Sequence, residues 1–318
     1  MMAAARWLLL CSALATLGVP GAARASAGCA GAALAVQILG SGGPAAEPGR
    51  ASSGYLLWQG GRSRVLVDAG GGVFVRFGEA GARIEDLELI AITHLHVDHV
   101  ADLPAILKTG FFSGRSRPLP LAGPDGNEVM PAMDEFVRIL FDPAKGAFRY
   151  LSGFLDGSGG LFRLDVHPVP SRSGTPRTVF EHAAFRVDAV GVRHGPLPAL
   201  AYRIISEGKR IVFSGDLNGD NPAFARLARG ADVLVMDHAV PDDADPVARR
   251  LHATPREIGR MAGEAGVKML LLSHRMGRTL GREDESLTAI RQHYQGPVRF
   301  AEDLQCARIP LASDESMR

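Results

Sequence analysis

Thr93-His94-Leu95-His96-Val97-Asp98-His99 packs three imidazoles and one carboxylate into six residues, His94 to His99. Nitrogen and oxygen donors at that density suit a zinc ion. The run follows the apolar stretch Leu87 to Ile92, which reads as a strand. It precedes Ala101 to Thr109, which reads as a short helix. It is therefore a loop at a strand's C-terminal edge, where open α/β sheets carry their sites. Two apart on an extended stretch, His94 and His96 project to the same side. Asp98 and His99 then turn toward a second point, so one short segment can begin two metal sites.

Further donors stand where apolar runs end. His194 follows Val190-Gly191-Val192-Arg193, Asp216 follows Ile211-Val212-Phe213-Ser214-Gly215, and His274 follows Leu270-Leu271-Leu272-Ser273. Each repeats the layout of the first segment. His252 lies in Leu251-His252-Ala253-Thr254 ahead of an expected helix. His167, His182 and His293 carry no motif and read as surface or partly buried residues. His238 reads as structural, or as a supporting residue by its position. The Gly40-Ser41-Gly42-Gly43-Pro44 loop lacks the spacing of a phosphate-binding P-loop.

The elements that must position these residues are β-rich first and mixed later. Strands are expected at Leu34 to Leu39 and Leu119 to Leu121, with a hairpin of Tyr55 to Trp58 and Arg64 to Val67 around Gln59-Gly60-Gly61-Arg62. Helical periodicity covers Val129 to Leu140. From Phe141 to Thr178 the chain is turn-rich, with no clean linker. Later strands are expected at Phe185 to Val192, Leu200 to Ile205, Arg210 to Phe213, Val233 to Met236, Met269 to Leu272 and Val298 to Phe300. Helices are expected at Pro222 to Ala228, Pro255 to Ala265 and Glu285 to His293. Thr254, Pro255 and Glu257 form an N-cap and capping-box signature. Strands then a helix, twice over, argue for an α/β fold with two packed sheets and helices outside, a four-layer αββα sandwich.

The 318 residues carry 35 Lys+Arg against 34 Asp+Glu, a net charge of +1, which gives no basic footprint for nucleic acid. Arg6, the apolar run Trp7 to Val19, the Pro20-Gly21 break and Ala25-Ser26-Ala27 read as a signal peptide over residues 1–27. The apolar run is too short to span a bilayer comfortably. Residues 28–318 then form a single periplasmic or secreted domain with no stable membrane span. Beyond the leader lie Cys29 and Cys306, neither near the histidine segments. An even count in an exported chain permits one disulfide. Two free thiols, or a lipid on Cys29, are the alternatives; Ser26 stands where a lipidation motif usually has Leu.

Taken in order, His94/His96/Asp98/His99, His194, Asp216 and His274 resemble the ligand motifs of the metallo-β-lactamase superfamily, over nearly all of the mature chain. The resemblance implies the αββα fold and two zinc ions per chain, with Mn2+ or Fe2+ as alternatives. One ion would sit on His94, His96 and His194, the other on Asp98, His99 and His274, with Asp216 bridging. Asp68, in Leu66-Val67-Asp68-Ala69-Gly70, matches the family's early buried Asp, which supports the motif loop without binding metal.

Within the superfamily, His99 to Pro104, Pro118 to Pro124 and Pro198 to Ile204 are similar to the branch holding the tRNA 3′-processing endonuclease and the exported arylsulfatases. Leu251-His252-Ala253-Thr254 is similar to that branch's His-x-Thr element, whose histidine donates a proton. The branch carries a His-Glu pair on the preceding strand; Asp237-His238 stand there in this chain, and Asp237 can take the orienting role. The tRNA enzymes also have a long protruding arm between their second and third motifs, and no Gly-Pro-rich basic arm occurs between Gly126 and His194.

The implied activity is hydrolysis of a phosphodiester or sulfate ester. A water bridging the two ions, its pKa lowered from about 15.7 toward neutrality, would supply hydroxide. Asp98 would orient it and His252 would protonate the leaving group. A carbonyl-centre hydrolase (lactonase, thioesterase or β-lactamase) is the alternative, and an inactive metal-binding protein is the alternative outside enzymes. The expected partner is a small-molecule ester, with no specific nucleic acid and with a homodimer left open.

Overall fold

The computed structural model describes residues 28–311. The expected signal peptide and its cleavage site fall outside the described residues.

Alternate residues of the central strands enter different cores, and this builds the layers. In β1 (Leu34–Gly40), Leu34, Val36 and Ile38 face one core while Ala35 and Leu39 face another. Because both faces are covered, the strand is buried throughout, and its one polar side chain, Gln37, accepts from Trp58 Nε1 and donates to the Leu304 carbonyl. The first sheet also holds β2 (Gly54–Gln59), β3 (Arg62–Val67), β4 (Leu89–Ala91), β5 (Leu119–Pro124), β6 (Leu164–Val169) and β14 (Cys306–Arg308), in the order β14-β1-β2-β3-β4-β5-β6. The second holds β7 (Arg177–His182), β8 (Phe185–His194), β9 (Leu197–Ser206), β10 (Lys209–Phe213), β11 (Val233–Asp237), β12 (Leu270–Ser273) and β13 (Val298–Phe300), in the order β13-β12-β11-β10-β9-β8-β7.

Between the sheets, Val36, Leu57 and Val67 share a core with Val187, Ile211, Phe213, Val235 and Leu271. Outside the first sheet lie α1 (Val73–Glu79), α2 (Val97–Val100), α3 (Leu103–Thr109), α4 (Met133–Phe141) and α5 (Gly153–Asp156); Phe77, Ile106, Val137 and Phe154 are buried there. Outside the second lie α6 (Pro222–Ala228), α7 (Pro246–Leu251), α8 (Pro255–Ala265) and α9 (Glu283–Arg291); Phe224, Met261 and Ile290 fill that core. Helix, sheet, sheet, helix is the four-layer αββα sandwich expected. Among the described residues, no helix is long and apolar enough to cross a membrane.

Several elements differ from expectation for local reasons. The helix expected from Val129 starts at Met133, because the Asn127 side chain accepts from Val129 and Met130 N–H and holds a turn, and Pro131 follows. The helix expected from Ala101 begins at Val97 and breaks before α3, where Pro104 sits in the first turn. The strand before the histidine loop is short, Leu89 to Ala91. The turn-rich middle holds β6 and the start of β7, a sheet-edge strand whose residues are half-buried or exposed and so lack an apolar signal. Helices α1 and α7 and strand β14 were also not anticipated.

Cys29 and Cys306 form a disulfide, with Cα atoms 5.5 Å apart. Cys306 opens β14, which pairs antiparallel with β1.

Candidate metal centre

Parallel pairing of β3-β4 in one sheet and β10-β11-β12 in the other brings their C-terminal ends to one edge of the sandwich. Asp68 follows β3, the histidine loop follows β4, Asp216 follows β10, Asp237 ends β11 and His274 follows β12. His194 ends β8. Apart from half-buried His96, these side chains and His252 are buried.

The donors fall into two clusters, each with its ligand atoms within 4.8 Å of one another: His94, His96, His194 and Asp216, and Asp98, His99 and His274. In the first, His94 Nε2 and His194 Nε2 lie 3.1 and 3.3 Å from His96 Nδ1. Two nitrogens on a tetrahedral zinc, each about 2.0–2.1 Å from it, stand roughly 3.3 Å apart. In the second, Asp98 Oδ2 is 3.1 Å from His274 Nε2 and 3.5 Å from His99 Nε2. Asp216 faces both: Oδ2 is 3.8 Å from His194 Nε2 and 3.2 Å from His274 Nε2, and Oδ1 is 3.6 Å from His99 Nε2. His99 Nε2 and Asp216 Oδ1 are buried without a hydrogen-bond partner. Buried orphans of this kind carry a cost that a cation between them removes. The donor set fits divalent metal.

Most of the imidazoles are fixed from behind. Asp68 accepts from Thr93 N–H at 2.7 Å, from Thr93 Oγ1 at 2.9 Å and from His99 Nδ1 at 2.8 Å. Thr93 Oγ1, its hydrogen used on Asp68, accepts from His94 Nδ1 at 3.1 Å. His194 Nδ1 donates to the Leu251 carbonyl at 2.8 Å. In each case Nε2 is left for the cluster, the usual arrangement behind metal-binding histidines. Asp68 thus plays the supporting part expected of it. Thr93 was not singled out in the sequence, although it directly precedes the first histidine. Asp68 and His274 both sit at positive φ, 59° and 53°. Such backbone costs of order 1–3 kcal/mol per residue and concentrates at functional sites.

Protonation follows from burial and charge. Burial lowers His94, His96 and His194, which favours the neutral imidazole that binds metal. Burial also opposes charge on Asp98 and Asp216, yet neighbouring His274 and His99 hold both carboxyls below the ordinary range. Against burial, Asp216 and Asp68 raise His99 well above its usual value, and Asp216 and Asp98 raise His274 to about 10. The second cluster therefore attracts positive charge.

His252 stands beside this centre, its Nδ1 3.0 Å from Asp237 Oδ2 and 3.9 Å from Asp216 Oδ2. Asp237 thus occupies the orienting position expected of it. Burial pulls His252 down to about 4, and burial together with Asp216's charge pushes Asp237 up. Asp237 therefore tends to keep a proton and to donate it to Nδ1, which leaves Nε2 as the hydrogen-bearing atom of the neutral ring. His238 is turned elsewhere: its Nε2 meets Ser286 Oγ at 2.9 Å. His167 and His293 are exposed and His182 is half-buried; none joins the centre.

The Gly40 to Pro44 loop has a role other than phosphate binding. A Cβ on Gly43 would lie 2.5 Å from His274 Cε1, so the imidazole rests directly on the glycine backbone.

The family description "Beta-lactamase superfamily domain" matches residues 63–275. The chain is 28% identical over 297 residues to ribonuclease Z of Mycobacterium bovis, covering 87% of this chain and 98% of that one. It is 30% identical over 282 residues to ribonuclease Z of Myxococcus xanthus, covering 78% and 89%. Among solved structures, the metallo-β-lactamase fold protein YhfI of Bacillus subtilis superposes with a TM-score of 0.67 at 22% identity, over 86% of this chain and 98% of that one. The short form of human tRNase Z gives 0.67 at 23% identity, over 87% and 100%. With the fold, the strand-end donors and these relatives in agreement, the chain belongs to the metallo-β-lactamase superfamily of hydrolases.

Proposed function

We propose that this protein is an exported, dinuclear zinc hydrolase of phosphodiester or sulfate esters. The observation that carries the reading is the Asp237–His252 pair, a buried proton relay 3.9 Å from the carboxylate shared by both donor clusters. A proton donor at that place serves a substrate whose leaving oxygen is a poor leaving group. His94, His96 and His194 would hold one cation, Asp98, His99 and His274 the other, and Asp216 both. When bound, such a pair supplies an acidified water and an electrophile for an ester oxygen. Asp98 and Asp216, both ionised, orient the attacking water. Asp237 fixes the His252 ring, and His252 gives its proton to the departing oxygen.

A cavity of about 420 Å3 opens beside the β8–β9 turn, one residue beyond His194, and Arg172, Arg193 and Arg226 line it. None of the centre's donors lines it, Arg193 is paired with Asp220 and Arg226 with the Gly174 carbonyl, so the cavity lies beside the centre rather than in it.

The relatives named ribonuclease Z favour an RNA phosphodiester as a second reading and weigh against the expected absence of a nucleic-acid partner. Against it, the leader expected at residues 1–27 favours a periplasmic or secreted site of action. In addition, Leu151, Phe154 and Phe162, between Gly126 and His194, are buried in the first helix layer rather than forming an arm. The test is one panel on the mature, zinc-loaded protein: bis-p-nitrophenyl phosphate, p-nitrophenyl sulfate, a lactone and a precursor tRNA, each with and without chelator. Chelator-sensitive turnover of either of the first two supports the proposal. Selective cleavage of the tRNA moves the assignment to RNA, and selective opening of the lactone overturns it.

A further inference from the structure

His274 is held differently from the other histidines of the centre. Its Nδ1 is buried and meets no hydrogen-bond partner, whereas His94, His99 and His194 are each anchored through that atom. A metal-binding histidine without such an anchor needs another restraint. Here it is steric. The ring lies on Gly43, and the Ser41–Ala51 loop that carries Gly43 is tied at both ends to one side chain. Asp303 Oδ1 accepts from Ser41 N–H at 3.0 Å and from Ser41 Oγ at 2.8 Å, and Oδ2 accepts from Ala51 N–H at 2.8 Å and from Arg76 at 3.1 Å. The loop closes on itself through Gly42 N–H to the Ala51 carbonyl at 2.8 Å. It reaches the His274 strand end through Arg275 N–H to the Ser41 carbonyl at 2.7 Å, and through Gly277 N–H to Glu47 at 2.6 Å.

We propose that Asp303 is a positioning residue for His274, acting through the Ser41–Ala51 loop, and that it sets the affinity of the Asp98/His99/His274 cluster selectively. The proposal rests on the ligand reading given above. The His94/His96/His194 cluster has its own anchors in Thr93 and Leu251 and does not touch this loop, so it is spared. Removing the charge of Asp303 leaves four donors competing for a weaker acceptor. The loop then relaxes, and His274 loses the surface that holds its ring.

The experiment is a competition titration of chelator-stripped protein with zinc against a chromophoric chelator, for the wild type, Asp303→Asn and Gly43→Ala. Circular dichroism and a thermal melt check the fold of each. Wild type should take up about two equivalents in two resolvable steps. Asp303→Asn should weaken one step about 10–100-fold, the loss typical when support behind a ligand is removed, and leave the other within about twofold. Gly43→Ala, whose new methyl enters the His274 ring space, should weaken the same step, and Ser41→Ala, which removes one of the loop's bonds to Asp303, should weaken it too and decides the matter should Asp303→Asn fail to fold. Equal weakening of both steps, or two unchanged steps, overturns the proposal while leaving the ligand reading intact. A wild type that takes up no zinc overturns both.

Discussion

The two sheets supply the centre in different styles. The first gives His94, His96, Asp98 and His99 from one loop after β4, with Asp68 behind it. The second gives His194, Asp216, Asp237 and His274 singly, from the ends of four strands, with His252 following α7. A dense loop gathers its donors through local chain geometry, whereas scattered donors meet only if β8, β10, β11 and β12 are in register. The first half is a motif and the second is a consequence of topology.

The sharpest way to break that contrast is to remove the scattered residue that serves both clusters. Asp216→Ala should abolish hydrolysis and reduce bound zinc from about two equivalents toward none, whereas Asp98→Ala, in the dense loop, should retain about one. Elemental analysis of protein purified without chelator reads both, and equal zinc in the two variants would show that Asp216 bridges nothing. Next in size is His252→Ala, which should lower turnover about 10²–10⁴-fold with metal content unchanged. The loss should shrink for nitrophenyl leaving groups, which need no proton. Full activity on an alkyl ester would remove His252 from the mechanism.

A smaller effect concerns pH. In the metal-free protein His99 and His274 titrate above an unfolded value near 6.5. Their contribution to stability is therefore complete below about pH 6.5 and is lost as pH rises through their raised values, about 10 for His274. Metal must displace the same protons, so zinc affinity should rise over that range and binding near neutrality should release protons. Calorimetry in buffers of differing ionisation enthalpy measures the release; a binding heat independent of buffer contradicts it. Smallest for the centre is the Cys29–Cys306 bridge, which supplies none of the donors. Protein made by export should show no titratable thiol when denatured without reductant. Cys306→Ser should cost about 2–5 kcal/mol of stability while zinc stoichiometry holds. Two free thiols in exported protein would exclude the bridge.

The same contrast explains what was legible in the sequence. The donors stood out because an apolar strand ending in His or Asp is a local pattern, whereas Asp237 was placed only through the resemblance to the branch with a His-Glu pair on that strand. The layers were legible because strands covered on both faces are continuous apolar runs. Edge strand β7 and β14 were not, since neither carries such a run. Asp303 was invisible for a different reason. Its partners Ser41, Ala51 and Arg76 lie more than 200 residues away, and nothing near Glu302-Asp303-Leu304 marks it. The Gly40 to Pro44 loop was noticed, but the glycine that matters there accommodates an imidazole, a requirement visible only once His274 is in place.

The pairing of β1 with β14 also imposes an order in time. β2 covers one edge of β1 soon after synthesis, but the other edge is covered by the distant segment from Leu304 to Ile309, with β14 at its centre. Until those residues arrive, a strand built to be buried along its whole length presents unpaired backbone donors and acceptors, a template for pairing with other chains. The last strand to emerge thus shields the first, and a chain truncated before Cys306 would leave that template open for good.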